Sequence, residues 1–374
     1  MTNEKKIAIC SDNILFHANR IFDKVWANNF PGAQAMPILR EIAQKNDFQI
    51  VTGDIALSHV KSNYWQAKDV LVAQEQDSQI AQELISLGAE AKILLAFESP
   101  IFAPYFYDSL PELAPRFCHR ILFKAALGLF DCSTGSNHKA YFPSYHKDMT
   151  FTSKPWAERD FLVIVAANKY CKKLTKFPFS LKPIKYLKWY RKKQRRQSSR
   201  SLQNAIQNEL QSQRLEAIEY FGAAGRLSLF GASWENVKKF PPHLQKSLKK
   251  IMATLSPERC LDKVKTIANY KFAICFENIS YPGYVTEKII DCFVAGVIPI
   301  YLGAPDISDF VPEKAFIDMR KFDSCHELDK YLQGFKEQQA IQMIKEGQNF
   351  LLTPKGQKHS FEFYAKYLFE LILQ

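Results

Sequence analysis

The chain has 374 residues and a formal net charge of +12, with 47% hydrophobic and 24% charged residues. This composition is that of a globular protein, and the length exceeds what one hydrophobic core usually serves, so a mostly disordered chain and a single small domain are excluded. No apolar run reaches the roughly 18 residues of a membrane span, and the start, MTNEKKIAICSDN, lacks the apolar centre of a signal peptide. We therefore expect a cytoplasmic protein of two domains.

Short apolar strands and amphipathic helices alternate along the chain. The predicted strands, in chain order, are KIAIC (6–10), FQIVTG (48–53), AKILLAF (91–97), FLVIVAAN (161–168), RLSLFG (226–231), KFAICFE (271–277) and GVIPIYLG (296–303). Amphipathic stretches such as SQIAQELISLG and TEKIIDCFVAG predict helices between them. This alternation predicts an α/β protein whose parallel sheets are covered by helices.

A domain boundary is predicted near residues 145–155, where the sequence has weak periodicity and contains prolines. We therefore predict one α/β domain over 1–150, a second over 151–350, and a C-terminal helix within 351–374. The apolar positions Phe361, Tyr364, Leu368 and Leu371 lie on one side of that last helix.

The predicted strand AKILLAF is followed by a carboxylate, Glu98. Ser99 and Pro100 suit the N-cap and first position of a helix. Between Phe97 and Pro100 the carboxylate would have a raised pKa and could serve as a general base. The alternative is a glutamate that only caps the following helix.

The positive charge is concentrated in residues 171–200, which contain twelve Lys and Arg and no acidic residue. Aromatic and aliphatic residues are interleaved with these cations, a combination that suits an anionic membrane surface. The residues predicted to contact that surface are Lys185, Lys188, Trp189, Arg191 and Lys192. Single-stranded nucleic acid, which the same combination can bind, and a solvated loop without a partner are the alternatives.

Arg214 occupies an unusual position in the predicted helix NAIQNELQSQRLEAIEYF. It falls four residues after Leu210 and four before Ile218, on an otherwise apolar stripe. Arginine rarely occupies such a place unpaired. Its planar guanidinium group could bind a diphosphate through two parallel hydrogen bonds. The structural alternative is an ion pair with a buried carboxylate.

The polar stretch NISYPGYVTEK, residues 278–288, directly follows the predicted strand KFAICFE. The carboxyl ends of strands are where open α/β sheets bind ligands. Thr286 is a plausible N-cap for a helix that ends at Gly296, and the amino end of that helix would suit a phosphate. Lys288 could meet an anion there, and Glu287 could accept hydrogen bonds from sugar hydroxyls. The alternative is a capped turn with surface charges.

Residues 272–322 closely resemble the donor-binding signature of the α-1,3/4-fucosyltransferases. The resemblance covers F-E-N, G-Y-V-T-E-K, P-x-Y-x-G-A-P, and D-F-V-P with the F-I-D that follows it. The family's F-E-S-P motif recurs at 97–100, its strand ending in Asn-Lys at Asn168 and Lys169, and its Arg-containing helix before a Gly-ended strand at 214–231. The resemblance implies a GT-B fold, with two Rossmann-like domains facing a cleft. Residues 1–150 would bind the acceptor and 151–350 would bind GDP-fucose.

The resemblance also implies an inverting transfer of L-fucose from GDP-fucose to a glycan hydroxyl, such as O3 of an N-acetylglucosamine-type residue. By this analogy Glu98 is the base, Arg214 and Lys288 neutralise the departing diphosphate, and Glu287 holds ribose hydroxyls. The implied donor-binding residues are Asn168, Lys169, Arg214, Gly231, Asn278, Tyr284, Glu287 and Lys288.

No essential metal and no cofactor other than the donor substrate are expected. The sequence has no Asp-x-Asp triplet to hold a cation on a nucleotide diphosphate, and cationic side chains can do that work. The eight cysteines are scattered without a C-x-x-C pair, which predicts small buried side chains rather than a zinc site or disulfides.

The basic segment and the sequence start together suggest a cytoplasmic enzyme at the inner membrane face. It would fucosylate an oligosaccharide or a lipid-linked glycan such as lipopolysaccharide, with residues 171–200 as the tether. One alternative is a glycosyltransferase of the same fold that uses another nucleotide sugar. The other is a non-catalytic adaptor that binds an anionic membrane or a nucleic acid through the basic segment.

Overall fold

The computed structural model describes residues 5–151, 154–168, 198–236 and 240–374. Within these residues the strands are β1 (Lys6–Cys10), β2 (Gln49–Thr52), β3 (Val70–Glu75), β4 (Glu90–Leu95), β5 (His119–Leu122), β6 (Ser136–Lys139), β7 (Asp160–Val165), β8 (Ser228–Phe230), β9 (Tyr270–Ile274), β10 (Ile298–Tyr301) and β11 (Ile317–Asp318). The helices are α1 (Lys24–Ala27), α2 (Ala35–Lys45), α3 (Gly53–Lys61), α4 (Gln79–Ser86), α5 (Pro104–Leu113), α6 (Arg200–Gln207), α7 (Gln211–Ala223), α8 (Gln245–Leu255), α9 (Lys263–Ile267), α10 (Glu287–Ala295), α11 (Cys325–Gln333), α12 (Glu337–Leu352), α13 (Pro354–Gln357) and α14 (Phe361–Leu373).

The chain forms two compact units. Unit 1 combines Met1–Met149 with Tyr281–Glu287 and Pro354–Gln374, and unit 2 combines Thr150–Ser280 with Lys288–Thr353. Each unit has its own parallel sheet with helices packed on it, so the prediction of two Rossmann-like α/β domains is confirmed.

Unit 1 contains a six-stranded parallel sheet in the order β2-β1-β3-β4-β5-β6. The chain starts at β1, adds β2 on one side, and then returns to add β3 on the other side. The strand order therefore reverses between β1 and β3. Both faces of β1 are covered, since Ile7, Ala8 and Cys10 are fully buried, as expected for a parallel strand between two helix layers.

Unit 2 contains a five-stranded parallel sheet in the order β11-β10-β9-β7-β8. Here the order reverses between β7 and β9. Phe272 of β9 lies at the centre of the core, where the rings of Trp156, Phe161 and Phe335 each meet it edge to face at 5.6 Å. Such aromatic pairs add to the free energy gained from burial.

All seven predicted apolar runs contain strands, but the described residues include four further strands that the patterns did not predict. The sequence of β3, VLVAQE, ends in polar residues, and β5 (HRIL) and β6 (SNHK) have no continuous apolar run. The strand β11 has only two residues. In β5, β6 and β11 pairing with a neighbouring strand stabilises the extended backbone, whereas β3 also has a short buried apolar run, VLVA, that the sequence analysis did not use.

The segment Tyr281–Glu287 packs in unit 1, although it falls inside the predicted second domain. The ring of Tyr281 lies 6.0 Å from that of Tyr107, and the ring of Tyr284 lies 4.9 Å from that of Phe123, both edge to face. The backbone N–H of Ala125 donates to the carbonyl of Pro282 at 3.1 Å. A hydrophobicity pattern cannot predict these side-chain and backbone contacts, because they join residues that are far apart in the sequence.

The C-terminal segment also belongs to unit 1. The predicted range 351–374 is divided between the end of α12, at Leu352, and the helices α13 and α14. The four side chains predicted on one side of the last helix, Phe361, Tyr364, Leu368 and Leu371, are all buried.

Candidate active site

The strand order of unit 2 reverses between β7 and β9. Open α/β sheets bind ligands at the carboxyl ends of the strands where the order reverses, so a ligand is expected at this edge. β7 and β9 are adjacent there, and a small cavity of about 20 Å³ lies beside their ends. This volume has room for about one water molecule. Its lining includes Ala166 and Phe276 from the strand ends and three cations, Arg214, Lys263 and Lys288.

Arg214 is held in place by hydrogen bonds to neutral oxygens at the end of β9. Its side chain is 3% exposed, and it donates to the carbonyl oxygens of Phe276 and Glu277, the latter at 3.1 Å. It also donates to the side-chain oxygen of Gln211 at 3.0 Å, and Gln211 in turn donates to Asn278 at 3.2 Å. These contacts fix the direction of the guanidinium group and link it to Asn278.

Lys288 and Glu277 form a buried ion pair. The Lys288 ammonium lies 2.8 Å from the Glu277 carboxylate, whose side chain is fully buried. Lys288 is 16% exposed, so the pair lies at the inner edge of the site rather than on the surface. The carboxylate therefore positions the ammonium beside the cavity.

Lys263 forms a second ion pair, with its ammonium 2.7 Å from the carboxylate of Asp291 in α10. Sequence reasoning did not predict Lys263 as a site residue. It lies in a short helix, α9, whose sequence resembles many exposed lysine-containing helices. Only the adjacency of β7 and β9 shows that it lines the same cavity as Arg214. Glu277 was also missed, and the single charged residue at the end of the apolar run FAICFE was the available signal.

The helix α10 begins and ends as predicted. Its first residue is Glu287, the preceding Thr286 is 2% exposed, and Gly296 follows its last residue with a left-handed φ of 63°. Of the predicted donor residues, Arg214, Asn278 and Lys288 belong to unit 2, whereas Tyr284 and Glu287 belong to unit 1.

Asn168 and Gly231 lie where the chain leaves β7 and β8. The backbone N–H of Asn168 donates to Ala232 at 3.0 Å, and its side chain donates to the carbonyl of Ser233 at 3.3 Å. Gly231 has a φ of 130°, and a side chain at this position would collide with the carbonyl of Ala166. Glycine therefore allows the two segments to approach closely at the site.

In unit 1, Glu98 follows β4 and lies near two other ionisable side chains. The hydroxyl of Tyr107 donates to the carbonyl oxygen of Glu98 at 2.7 Å. Burial raises the pKa of Tyr107, and Tyr281, Tyr284 and Glu98 raise it further. Burial also raises the pKa of Glu75 at the end of β3, and the negative charge of Glu98 adds to that shift.

The predicted helix start at Ser99 and Pro100 is wrong. The helix α5 begins at Pro104, and residues 99–103 form turns in which Phe102 and Ala103 donate to the carbonyl of Ser99, both at 3.0 Å. These turns separate Glu98 from the first residue of α5, so Glu98 does not cap that helix.

Several predicted residues lie outside the part of the chain that the structure describes. They are Lys169, Lys185, Lys188, Trp189, Arg191 and Lys192. Across the described ranges, no helix is long and apolar enough to cross a membrane. Among those same residues, no group of three or more His, Cys, Asp and Glu side chains is arranged to hold a metal ion.

Comparison with known proteins finds similarity to fucosyltransferases in the second half of the chain. Residues 188–343 match the family model of glycosyltransferase family 10 (fucosyltransferase), C-terminal part. The α-(1,3)-fucosyltransferase FucT of Helicobacter pylori is 40% identical over 116 residues, which cover 30% of this chain and 23% of that protein. The α-(1,4)-fucosyltransferase of Arabidopsis thaliana is 42% identical over 66 residues, covering 18% of this chain and 16% of that protein.

These matched stretches span less than a quarter of each relative's length. Solved structures cover far more of the chain. An α1,3-fucosyltransferase structure has a TM-score of 0.52 at 16% identity and covers 99% of this chain and 90% of its own. Anabaena Alr3699/HepE in complex with UDP and glucose has a TM-score of 0.53 at 10% identity, covering 99% and 100%. At such identities the likeness shows the fold, which is the GT-B fold of glycosyltransferases.

Proposed function

We propose that the chain is an inverting glycosyltransferase of the α-1,3/4-fucosyltransferase family that moves L-fucose from GDP-fucose to a hydroxyl group of a glycan. The acceptor hydroxyl would be O3 of an N-acetylglucosamine-type residue in an oligosaccharide or a lipid-linked glycan such as lipopolysaccharide. The match of residues 188–343 to the fucosyltransferase family model supports the reaction class, and the site geometry supports the division of chemical tasks described below.

The observation that carries the proposal is the group of three cations at the reversal of strand order in unit 2. When the bond to fucose breaks, negative charge develops on the diphosphate of GDP. Arg214 lines this cavity together with Lys288 and Lys263, and the positive charge of these three side chains can act on the phosphate oxygens. Fixed cations directed at developing charge stabilise a transition state without reorganising during the reaction. No metal ion is needed in this scheme.

Glu98 would remove the proton from the acceptor hydroxyl. It follows β4 at the carboxyl edge of the unit 1 sheet, and a carboxylate can serve as the general base for this step. The proposal therefore assigns proton removal to unit 1 and stabilisation of the leaving group to Arg214 and Lys288 of unit 2.

The remaining donor-binding assignments follow the family resemblance. Glu287 would accept hydrogen bonds from the ribose, and Asn278 and Tyr284 would shape the pocket around nucleotide and fucose. Asn278 is already linked to Arg214 through Gln211. Asn168, Lys169 and Gly231 would complete the donor-binding set.

The enzyme would work at the cytoplasmic face of the membrane, with residues 171–200 as a peripheral tether to anionic lipids. Changing Lys185, Lys188, Arg191 and Lys192 to Gln should abolish flotation with vesicles that contain phosphatidylglycerol. Vesicles of phosphatidylcholine alone serve as the control. Undiminished flotation of this variant with anionic vesicles would contradict the tether.

The catalytic assignment is tested by Glu98→Gln, with Glu112→Gln on the exposed side of α5 as the matched control. We expect the first variant to lose about 10²- to 10⁴-fold in kcat for fucose transfer, because general-base catalysis contributes that much. GDP binding measured by calorimetry should be unchanged in both variants. Normal transfer by Glu98→Gln would refute Glu98 as the base.

A further inference from the structure

A larger cavity than the one in unit 2 lies in unit 1, among residues that the proposed function does not use. Its volume is about 400 Å³, within the range of about 300–1,000 Å³ that is typical of small-ligand sites. Its walls come from α1, the first half of α2, the start of α14 and the loop after β6. All of these segments belong to unit 1, so that unit forms the cavity alone.

Two ion pairs connect the walls of this cavity. The ammonium of Lys24 in α1 lies 2.8 Å from the carboxylate of Glu41 in α2. The ring nitrogen Nδ1 of His146 lies 2.8 Å from one carboxylate oxygen of Glu362 in α14, and the other oxygen accepts from the N–H of Lys147 at 2.9 Å. These contacts join α1 to α2 and the loop after β6 to α14, so the walls need little rearrangement to receive a ligand.

The lining favours a neutral polar ligand over a charged one. An anion would be repelled by the carboxylates of Glu41 and Glu362, and a cation would find both of them already paired. Asn28 and Gln34 add carboxamide groups that can both donate and accept hydrogen bonds, and Ile38 adds apolar surface. A sugar ring presents hydroxyl groups and apolar C–H faces, so its chemistry matches this mixture.

Gln34 contributes a polar atom that needs a partner. It directly precedes α2 and lines the cavity. Its side-chain oxygen is buried and accepts no hydrogen bond from any residue in the described ranges. A buried acceptor without a donor is unfavourable, and a ligand hydroxyl group that entered from the cavity would supply the donor.

The cavity lies on the same edge of unit 1 as Glu98. Residues 24–38 belong to the connection that leaves the carboxyl end of β1, and Glu98 follows the carboxyl end of β4 in the same parallel sheet. The ring of Phe97, the residue before Glu98, lies 5.9 Å from the ring of Tyr364 in α14. Glu362 of the cavity precedes Tyr364 in the first turn of that helix. A glycan whose acceptor hydroxyl meets Glu98 can therefore extend toward this cavity.

We propose that this cavity is an accessory sugar-binding site that holds the outer part of the acceptor glycan while the acceptor hydroxyl lies at Glu98. This inference rests on the proposed function. The cavity would contribute binding energy that is equal in the ground state and in the transition state. It should therefore lower the KM for long acceptors and leave kcat unchanged.

Two cavity variants and one control separate this role from a general effect on folding. Ile38→Trp should fill the cavity, and Gln34→Ala removes the unpaired oxygen. Gln44→Trp, at an exposed position of the same helix α2, is the matched control for the first variant. The acceptors are the disaccharide galactosyl-N-acetylglucosamine and a hexasaccharide built from this unit. Transfer is measured at saturating GDP-fucose, and binding of the hexasaccharide without donor is measured by calorimetry.

In the wild type and in Gln44→Trp, the KM for the hexasaccharide should be about tenfold below that for the disaccharide. Ile38→Trp should raise the hexasaccharide KM to the disaccharide value, with kcat and the disaccharide KM unchanged. Gln34→Ala should raise the hexasaccharide KM by about threefold to tenfold, because one hydrogen bond to the glycan is lost.

Equal KM values for the two acceptors in the wild type would overturn the inference, and so would a wild-type KM ratio in the cavity variants. If Ile38→Trp fails to fold, Gln34→Ala decides the outcome. Failure of the proposed function would look different, since the wild type would then transfer no fucose to either acceptor. Calorimetry would still test the cavity: hexasaccharide binding that is lost in Ile38→Trp and kept in Gln44→Trp would support the site, and no binding to the wild type would overturn it.

Discussion

The buried ion pair between Lys288 and Glu277 gives Lys288 an expected role in stability, beside its proposed role in donor binding. Removing the ammonium would leave the carboxylate of Glu277, which is fully buried, without its partner at 2.8 Å. We therefore predict that Lys288→Met lowers the free energy of unfolding by about 3–5 kcal/mol, the usual cost of breaking a buried pair. Urea unfolding measures this change.

The double variant Glu277→Gln with Lys288→Met should recover part of that stability, because it removes the buried charge as well. It should still bind GDP more weakly than the wild type, since the cation is gone. A Lys288→Met variant as stable as the wild type would show that the ion pair does not stabilise the folded protein.

Gly231 should be indispensable for folding around the site. Its φ of 130° is unfavourable for other residues, and an added Cβ would collide with the backbone carbonyl of Ala166. Gly231→Ala should therefore destabilise unit 2 by more than about 2 kcal/mol, measured by urea unfolding. Gly225→Ala is the matched control, because Gly225 also has positive φ but has open space around it. Equal effects of the two substitutions would contradict the close approach at Gly231.

His359 should make unit 1 less stable in mild acid. It is fully buried, its ring donates to the carbonyl of Phe142 at 3.0 Å, and burial lowers its pKa to about 4, with Lys355 and Lys358 adding to the shift. The unfolded chain, with an ordinary histidine pKa near 6.5, takes up the proton first, so the native state loses stability as the pH falls from about 6.5 to about 4.

That difference of about 2.5 units corresponds to about 3 kcal/mol. Chemical unfolding between pH 7 and pH 4 should show this loss in the wild type and a smaller one in His359→Gln, which cannot take up the proton. Parallel pH dependence of the two proteins would show that another group is responsible.

The sequence was enough to predict charged site residues that interrupt an apolar pattern. It was not enough to predict those that come together only through the order of the strands in the sheet. Arg214 stood out on an apolar stripe, and the structure indeed buries it at the site. Lys263 lies in unremarkable polar surroundings along the chain. Its place beside Arg214 depends on which strands are neighbours, and a single sequence does not contain that information in any local pattern.

Among the helices, α14 is the one whose packing is most directly testable. It begins at Phe361, whose N–H donates to Tyr145 at 2.9 Å, and Glu362 binds both His146 at 2.8 Å and the N–H of Lys147 at 2.9 Å. Leu368 is fully buried on its inner side. The helix is therefore fixed to unit 1 at its first turn and along one face.

Truncating Leu368 should test that attachment. Leu368→Ala is expected to cost about 2–5 kcal/mol of unfolding free energy, the range for a fully buried leucine. Phe363→Ala, at a position 37% exposed on the same helix, should cost much less. Thermal or urea unfolding compares the two, and similar losses would contradict the assignment of the inner face.

Strand and helix positions were predicted well for most continuous apolar runs, although the run VLVA of β3 was missed. The runs KIAIC and GVIPIYLG contain β1 and β10, and TEKIIDCFVAG contains α10. Short strands such as β6, with the sequence SNHK, were missed because they depend on pairing with β5. The packing of Tyr281–Glu287 in unit 1 was missed because it depends on aromatic contacts far apart in the sequence.

Both units repeat one topological scheme, and the candidate site residues follow from it. In each sheet the first strand lies beside the third, and the strand order reverses between them. In unit 2, the cavity beside the reversal is lined by Arg214, Lys263 and Lys288. In unit 1, Ser11 and Glu75 lie at the ends of the two strands at the reversal, and Glu98 follows the next strand, β4. The alternation of strands and helices predicted two such units from sequence, but which residues meet at each reversal required the structure.

The most direct test of the proposed activity is acceptor-dependent release of GDP from GDP-fucose. GDP-mannose and UDP-sugars serve as competing donors, galactosyl-N-acetylglucosamine compounds as acceptors, and Glu98→Ala as the inactive variant. We predict that only GDP-fucose supports release, that an acceptor stimulates it, and that Glu98→Ala abolishes it. Release from another nucleotide sugar, or no release and no binding of GDP, would contradict the assignment of this chain as a fucosyltransferase.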